Sequence, residues 1–330
     1  MGRPGMSGVG GAGVVVLGDG RWAAESLRRI RASGHSVLAA VVRQSPSDGT
    51  LGDAAAEARI PVLQPTRVND PSFVEALRAR APDLLVSVAY DQILRAPVRG
   101  VARLGGVNLH AGALPRYRGR NVINWAIING EAEIGVTAHL IDDGIDTGDV
   151  VLQRFLPIGW TDTYGDVLAR VVEAIPPMAA DAVDLITAGG LVARPQDHAA
   201  ATYCGGRAAG DEWIDWTLPS RRLHDLVRGI ARPGPGARTL LGQEPVTIWR
   251  AYFDPDWPRY LGTPGQVVGR DASGVTVKTG DSTLRVLEVQ CAGAAPAVPG
   301  WPIGTRLGPD TGRALCAVLE RLGALATPKA

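Results

Sequence analysis

The chain has 330 residues, 45% of them hydrophobic and 20% charged, with a formal net charge of +1. That length and balance fit a globular protein of one large or two smaller domains, without the basic excess of a dedicated nucleic-acid binder. Glycine (42) and proline (24) are frequent but fall in no repeat, which excludes collagen-like and propeller architectures.

Residues 1–12 read as a flexible tail; they lack the apolar core of a signal peptide. No later apolar run reaches membrane-spanning length, so a cytoplasmic protein with no membrane contact is expected. Residues 14–17, Val-Val-Val-Leu, form a buried strand. Gly18-Asp19-Gly20 follows and opens a helix running from about Arg21 to Gly34. With Ala23 this is G-x-G-x-x-A, a permitted dinucleotide fingerprint. The acid expected after the second strand, residues 36–42, is replaced by Arg43, so the turn reads as a bend or the lining of a substrate site. A nicotinamide oxidoreductase is the lesser alternative. Residues 52–59 read as helix, and Asp70 with Pro71 caps a helix reaching Arg80. Residues 84–88 and 106–109 are core strands, 121–129 a helix, and 136–141 and 150–155 further strands. Residues 161–186 form a long amphipathic helix expected to break near Pro176-Pro177. Strands alternating with helices predict an α/β, doubly wound, mostly parallel Rossmann-like sheet over residues 13–190.

A linker is expected at 191–209. Beyond it, residues 225–230 are helical and Pro233-Gly234-Pro235-Gly236 is a strong turn. Short strands at 246–249, 265–268, 275–278 and 284–289 predict a small β-rich, barrel-like domain over 210–330. Cys204, Cys291 and Cys316 are widely spaced with no C-x-x-C pair and read as reduced thiols.

The densest chemistry lies between Asn108 and Asp149. Asn108 and His110 are two apart on a strand, so their side chains share a face. A basic loop, Leu114-Pro115-Arg116-Tyr117-Arg118-Gly119-Arg120-Asn121, comes next. Ile141-Asp142-Asp143-Gly144-Ile145-Asp146-Thr147-Gly148-Asp149 then sets four carboxylates in a loop without calcium-loop spacing. The histidines lack zinc spacing, so no metal is expected. His139 reads as a packing residue or loop anchor. His35, His198 and His224 carry no functional argument.

These runs have a family likeness. N-L-H at 108–110, L-P-R-Y-R-G at 114–119, N-W-A-I-I-N-G-E at 124–131, G-V-T-x-H at 135–139 and D-x-G-I-D-T-G-D at 142–149 closely resemble the formyltransferase superfamily. That superfamily includes methionyl-tRNA formyltransferases, sugar-nucleotide N-formyltransferases and, more distantly, glycinamide ribonucleotide transformylase. The resemblance covers residues 13 to about 190. A weaker part, from Ile214-Asp215-Trp216 to Arg250, resembles the family's OB-like C-terminal domain.

The resemblance implies 10-formyltetrahydrofolate as formyl donor and Asn108, His110 and Asp146 as the catalytic set. It implies a folate site built on Gln92, Ile93 and Leu94 and on Ile141, Asp142, Asp143, Gly144 and Ile145. Asn108 and a protonated His110 would then stabilise charge on the formyl oxygen. Asp146 is expected to raise the His110 pKa and to take up a proton. For the acceptor, H-A-G and R-G-R-N stand where tRNA-acting members carry H-P-S and G-A-A-P. The loop at 43–49 is short, and Lys278 and Lys329 are the only lysines. The expectation is therefore a small amine, an amino sugar on a nucleotide carrier or a specialised-metabolite amine. Gly112, Arg116, Tyr117, Arg118, Arg120 and Asn121 would bind it, the arginines holding a diphosphate or carboxylate. tRNA is the disfavoured partner. Initiator-tRNA formylation, hydrolysis of the folate and an idle binding module are the alternatives.

Overall fold

A computed structural model describes residues 11–309. The expected tail at 1–12 lies almost wholly outside these, as do Cys316 and Lys329. The first part of the chain runs β1 (Gly13–Gly18), α1 (Gly20–Ala32), β2 (Ser36–Val42), α2 (Thr50–Glu57), β3 (Val62–Leu63), α3 (Pro71–Arg78), β4 (Leu84–Val88), α4 (Ala96–Arg99) and β5 (Gly106–His110). It continues through β6 (Arg118–Gly119), α5 (Val122–Ile128), β7 (Glu133–Leu140), β8 (Val150–Pro157), α6 (Tyr164–Thr187) and β9 (Tyr203–Cys204). Then follow α7 (Ser220–Gly229), β10 (Ala237–Leu241), β11 (Glu244–Tyr252), β12 (Val267–Asp271), β13 (Gly274–Lys278) and β14 (Thr283–Cys291).

The chain forms two compact units. The first holds the residues up to Ala126, Ala132–Ile158 and Asp166–Gly206; the second holds Ile127–Glu131, Gly159–Gly165 and the residues from Arg207 onward. Residues 191–206, expected as linker, thus lie in the first unit.

In the first unit a seven-stranded sheet has the order β3-β2-β1-β4-β5-β7-β8. Pairings up to β4–β5 are parallel, while β5–β7 and β7–β8 are antiparallel. The sheet is mostly parallel, as the alternation predicts. Central strands buried on both faces read as unbroken apolar runs, and Val14, Val15, Val16 and Leu17 are fully buried.

Two local expectations change. Asp70 sits at the N-cap of α3 with Pro71 in the first turn, but its side chain makes no capping hydrogen bond. α6 does not break: Pro176 and Pro177 lie inside one continuous helix. Burial of Ile175, Met178, Ala179, Ala182 and Val183 keeps the turns on either side packed, and this outweighs the two missing backbone donors.

In the second unit five antiparallel strands take the order β10-β11-β14-β13-β12. Leu307 bridges to Leu241 and Arg306 to Gln266, so one short segment touches both ends of the sheet. On α7, buried Asp225 pairs with Arg221 Nε at 2.5 Å and Arg228 Nε at 2.8 Å. Among the described residues, no helix is long and apolar enough to cross a membrane.

Candidate active site

The antiparallel β5–β7 register decides which side chains meet. Asn108 pairs with His139 and His110 with Thr137. Directly opposed residues face the same side of a sheet, so Asn108, His110 and His139 share a face. Asn108 Nδ2 lies 3.2 Å from His139 Nε2. Asp146 enters from the loop after β7 in a left-handed backbone conformation, φ 54°. Its Oδ1 is 3.4 Å from His139 Nε2 and its Oδ2 is 3.6 Å from His110 Nδ1. The Gly119 N–H donates to Oδ2 at 2.8 Å. The three residues of the family motif therefore meet, and His139 joins them. It is buried and holds the loop at Asp146, as a packing residue or loop anchor would; its meeting with Asn108 depends on strand register, which the motif does not show.

Hydrogen-bond partners assign the protons. His110 Nε2 lies 2.7 Å from the Tyr117 carbonyl, which only accepts, so Nε2 carries the hydrogen and Nδ1 faces Asp146. His139 Nδ1 lies 2.8 Å from the Leu140 carbonyl, which leaves Nε2 to accept from Asn108. Gly112 lets this happen: a Cβ there would stand 2.4 Å from both His110 Nε2 and the Tyr117 oxygen.

The expected imidazolium is not what the electrostatics give. Burial lowers the His110 pKa below its ordinary value; Asp146 and the Tyr117 bond oppose this, and His139 adds to it. At 7% exposure, lost hydration outweighs one carboxylate 3.6 Å away. Burial pushes the Asp146 carboxyl up, but with the rings in their charged forms the His139 bond, the charge of His110, the Gly119 N–H and the charge of His139 more than reverse this and bring it to about 2.

The basic loop is also redistributed. Arg118 is 1% exposed. Its Nη1 donates to Tyr203 Oη at 2.8 Å, its Nε and Nη2 to Gln196 Oε1 at 3.2 and 2.8 Å, and its Nη2 to His198 Nδ1 at 3.1 Å. It is committed to the scaffold and cannot serve as an acceptor-binding arginine. Arg116 and Arg120 are exposed, and Arg120 Nη2 donates to the Asp91 carbonyl at 3.1 Å. Tyr117 and Asn121 both have left-handed backbones, φ 60° and 52°.

The two expected folate loops are joined by Arg99, which sequence reasoning missed. Its Nη1 donates to the Leu94 carbonyl at 3.1 Å and the Asp142 carbonyl at 2.7 Å, and its Nη2 meets Asp143 Oδ1 at 2.5 Å. Gln92 Oε1 accepts from Val68 N, and Asp142 Oδ1 holds Gly144 N and Thr147 Oγ1. Leu94 is buried and Ile141 packs on the core, while Ile93 and Ile145 are 58% and 53% exposed.

The first glycine-rich turn is filled from within. Asp19, 4% exposed, pairs with Arg43 Nη1 at 3.1 Å and accepts from Ser47 N at 3.0 Å. A carboxylate there disfavours a dinucleotide phosphate. Among the described residues, no group of three or more His, Cys, Asp or Glu is arranged to hold a metal ion.

Two family models match this chain: "Formyl transferase" over residues 12–183 and "Formyl transferase, C-terminal domain" over 208–299. The chain belongs to the formyltransferase family. This formyltransferase is 32% identical to a methionyl-tRNA formyltransferase of Geobacter sulfurreducens, over 90% of its own length and 97% of that relative's. It is 38% identical to the methionyl-tRNA formyltransferase of Anaeromyxobacter dehalogenans, over 85% and 92%. Among solved structures, WlaRD, a sugar 3N-formyl transferase, aligns with a TM-score of 0.66 at 17% identity, covering 86% of this chain and 99% of that one. Such low identity speaks for the fold alone. The relatives overturn the small-amine expectation. That expectation rested on a few loop positions, Arg118 among them, whereas the similarity to methionyl-tRNA formyltransferases runs through both units.

Proposed function

We propose that this formyltransferase moves the formyl group of 10-formyltetrahydrofolate onto the amino group of methionyl-tRNA. The observation that carries the chemistry is the convergence of Asn108, His110 and His139 on one sheet face with Asp146 of the following loop, through contacts of 3.2–3.6 Å. Identity of 32–38% across most of the chain with methionyl-tRNA formyltransferases supports the acceptor. The two loops clamped by Arg99 each carry one exposed isoleucine, Ile93 and Ile145, which offers apolar contact to the flat heterocycle of the folate. The folate supplies a formyl carbon already activated on nitrogen.

The chain's residues then divide the work. His139 accepts one N–H of Asn108 and so fixes the carboxamide, leaving its second N–H to stabilise charge developing on the formyl oxygen. His110, kept neutral by burial, offers Nδ1 as the base that takes a proton from the attacking amine as the new C–N bond forms, and the imidazolium returns that proton to the folate nitrogen as the old formyl C–N bond breaks. Asp146 lies on that side and stabilises the imidazolium once formed. His110 is therefore a base in this reading, not a second donor to the oxygen, because its Nε2–H is already given to Tyr117.

The test supplies purified protein with methionine-charged initiator tRNA and 10-formyltetrahydrofolate, and resolves formylated from free methionyl-tRNA. The expected outcome is donor turnover matched by formylmethionyl-tRNA. Donor consumption at the same rate without tRNA would mark hydrolysis, and an inert methionyl-tRNA would overturn the acceptor.

A further inference from the structure

Asp146 is held in an unfavourable conformation by something outside its own motif. A non-glycine residue at positive φ persists only when its surroundings over-determine it. One constraint is the Gly119 N–H on the carboxylate. The other acts on the backbone. Gln196 Nε2 donates to the Asp146 carbonyl at 2.9 Å and to the Gly148 carbonyl at 2.6 Å, so one amide closes both ends of the Asp146-Thr147-Gly148 turn.

Gln196 is itself fixed. Arg194 pairs with Val150 at the start of β8 and brings the segment alongside this loop. Gln196 is buried, and its Oε1 takes two donors from Arg118. That guanidinium meets an amide, a phenol and an imidazole. Guanidinium only donates, so His198 Nδ1 accepts. A buried cation with such partners gains more from each good acceptor than an exposed one does. The same arginine heads the β6 strand whose next residue, Gly119, grips the Asp146 carboxylate. Gly119 is obligatory there, because a Cβ would stand 2.3 Å from the Cys204 oxygen across the β6–β9 pair.

We infer that Gln196, anchored on buried Arg118, is a positioning residue that sets the Asp146 carboxylate against His110 and His139. The inference rests on Asp146 acting in formyl transfer. It gives residues 194–204, which carry none of the family-like motif, a task in the reaction.

Gln196→Glu keeps the shape and an acceptor for Arg118 but removes both N–H donors. Gln196→Met removes all polar contact at similar length. The groups facing His110 are Asp146 and His139; those facing Asp146 are the two histidines and the Gly119 N–H. A loosened carboxylate raises the His110 pKa less, so in Gln196→Met, which adds no charge, the acid limb of kcat/KM moves to lower pH. The expected result is a kcat lowered roughly 10–100-fold, as for an ångström-scale misplacement, together with that displaced limb and a little-changed melting temperature. A merely structural role would lower the active fraction without moving the limb. Wild-type kcat in both variants or an unmoved limb in Gln196→Met overturns the inference, as does loss of fold in both variants. Asp146→Asn in the same assay separates the two readings. If it retains the rate, the assigned chemistry of the site fails; if it is inactive while Gln196→Glu is normal, only the positioning role fails.

Discussion

At the scale of single residues, the site is a set of proton assignments forced by carbonyls. Tyr117 and Leu140 each accept from one ring nitrogen, so His110 presents an unprotonated Nδ1 to Asp146 and His139 an unprotonated Nε2 to Asn108. The sharpest consequence concerns Asn108, whose second N–H is left for the formyl oxygen. Asn108→Ala should lower kcat by about 10²–10³, or ~2.7–4 kcal/mol, with KM for the folate little changed. Steady-state kinetics check this, and a loss confined to KM would contradict it. Asn108, His110 and Asp146 were legible in the sequence because each sits in a recognisable run. His139 was legible as a residue but not as a participant, and Gln196 was not legible at all, since contacts of the 194–204 segment depend on chain return and not on local pattern. The charge of His110 was misread because a carboxylate neighbour is visible in sequence, whereas the depth of burial is not.

At the scale of elements, the alternation of apolar runs with amphipathic segments located the major strands and helices of the first unit. The two-residue strands β3, β6 and β9 are too short to carry a period. β10, Ala-Arg-Thr-Leu-Leu, was hidden behind the Pro233–Gly236 turn. α6 is the instructive failure. Its prolines argue for a break, yet helix continues on both sides because one apolar stripe runs the whole length. The missing donors should still be felt. Pro177 is only half-buried, so Pro177→Ala can restore a backbone N–H without opening a cavity. Stability should rise by about 2 kcal/mol, the interior cost of proline less the unfolded-chain entropy it removes. Urea unfolding measures this, and a lower midpoint in the variant would count against it.

At the scale of the molecule, each unit hides a histidine: His110 in the first and His224 in the second, both lowered from 6.5 first by burial. Unfolding returns each ring to its ordinary value. Between the lowered and ordinary values the unfolded chain therefore binds more protons, and stability falls as pH drops below 6.5, levelling off once the native rings are protonated. Asp146, at about 2, keeps its contribution until the medium is more acid than ordinary carboxylates tolerate. Denaturation midpoints should thus decline between about pH 7 and about pH 5; a flat or rising midpoint would speak against buried neutral rings. The division into an α/β unit and a β-rich unit was foreseeable from composition and turn spacing, whereas the small-amine expectation, read from loop residues and the scarcity of lysine, gave way to the likeness of the whole chain to methionyl-tRNA formyltransferases. The aspartate inside the first turn has a further consequence. Open parallel sheets are common docking places for nucleotides, and a cell is full of them. With Asp19 seated against Arg43 and Ser47, this sheet brings its own anion to the berth, and abundant ATP or NAD has little to gain by docking there.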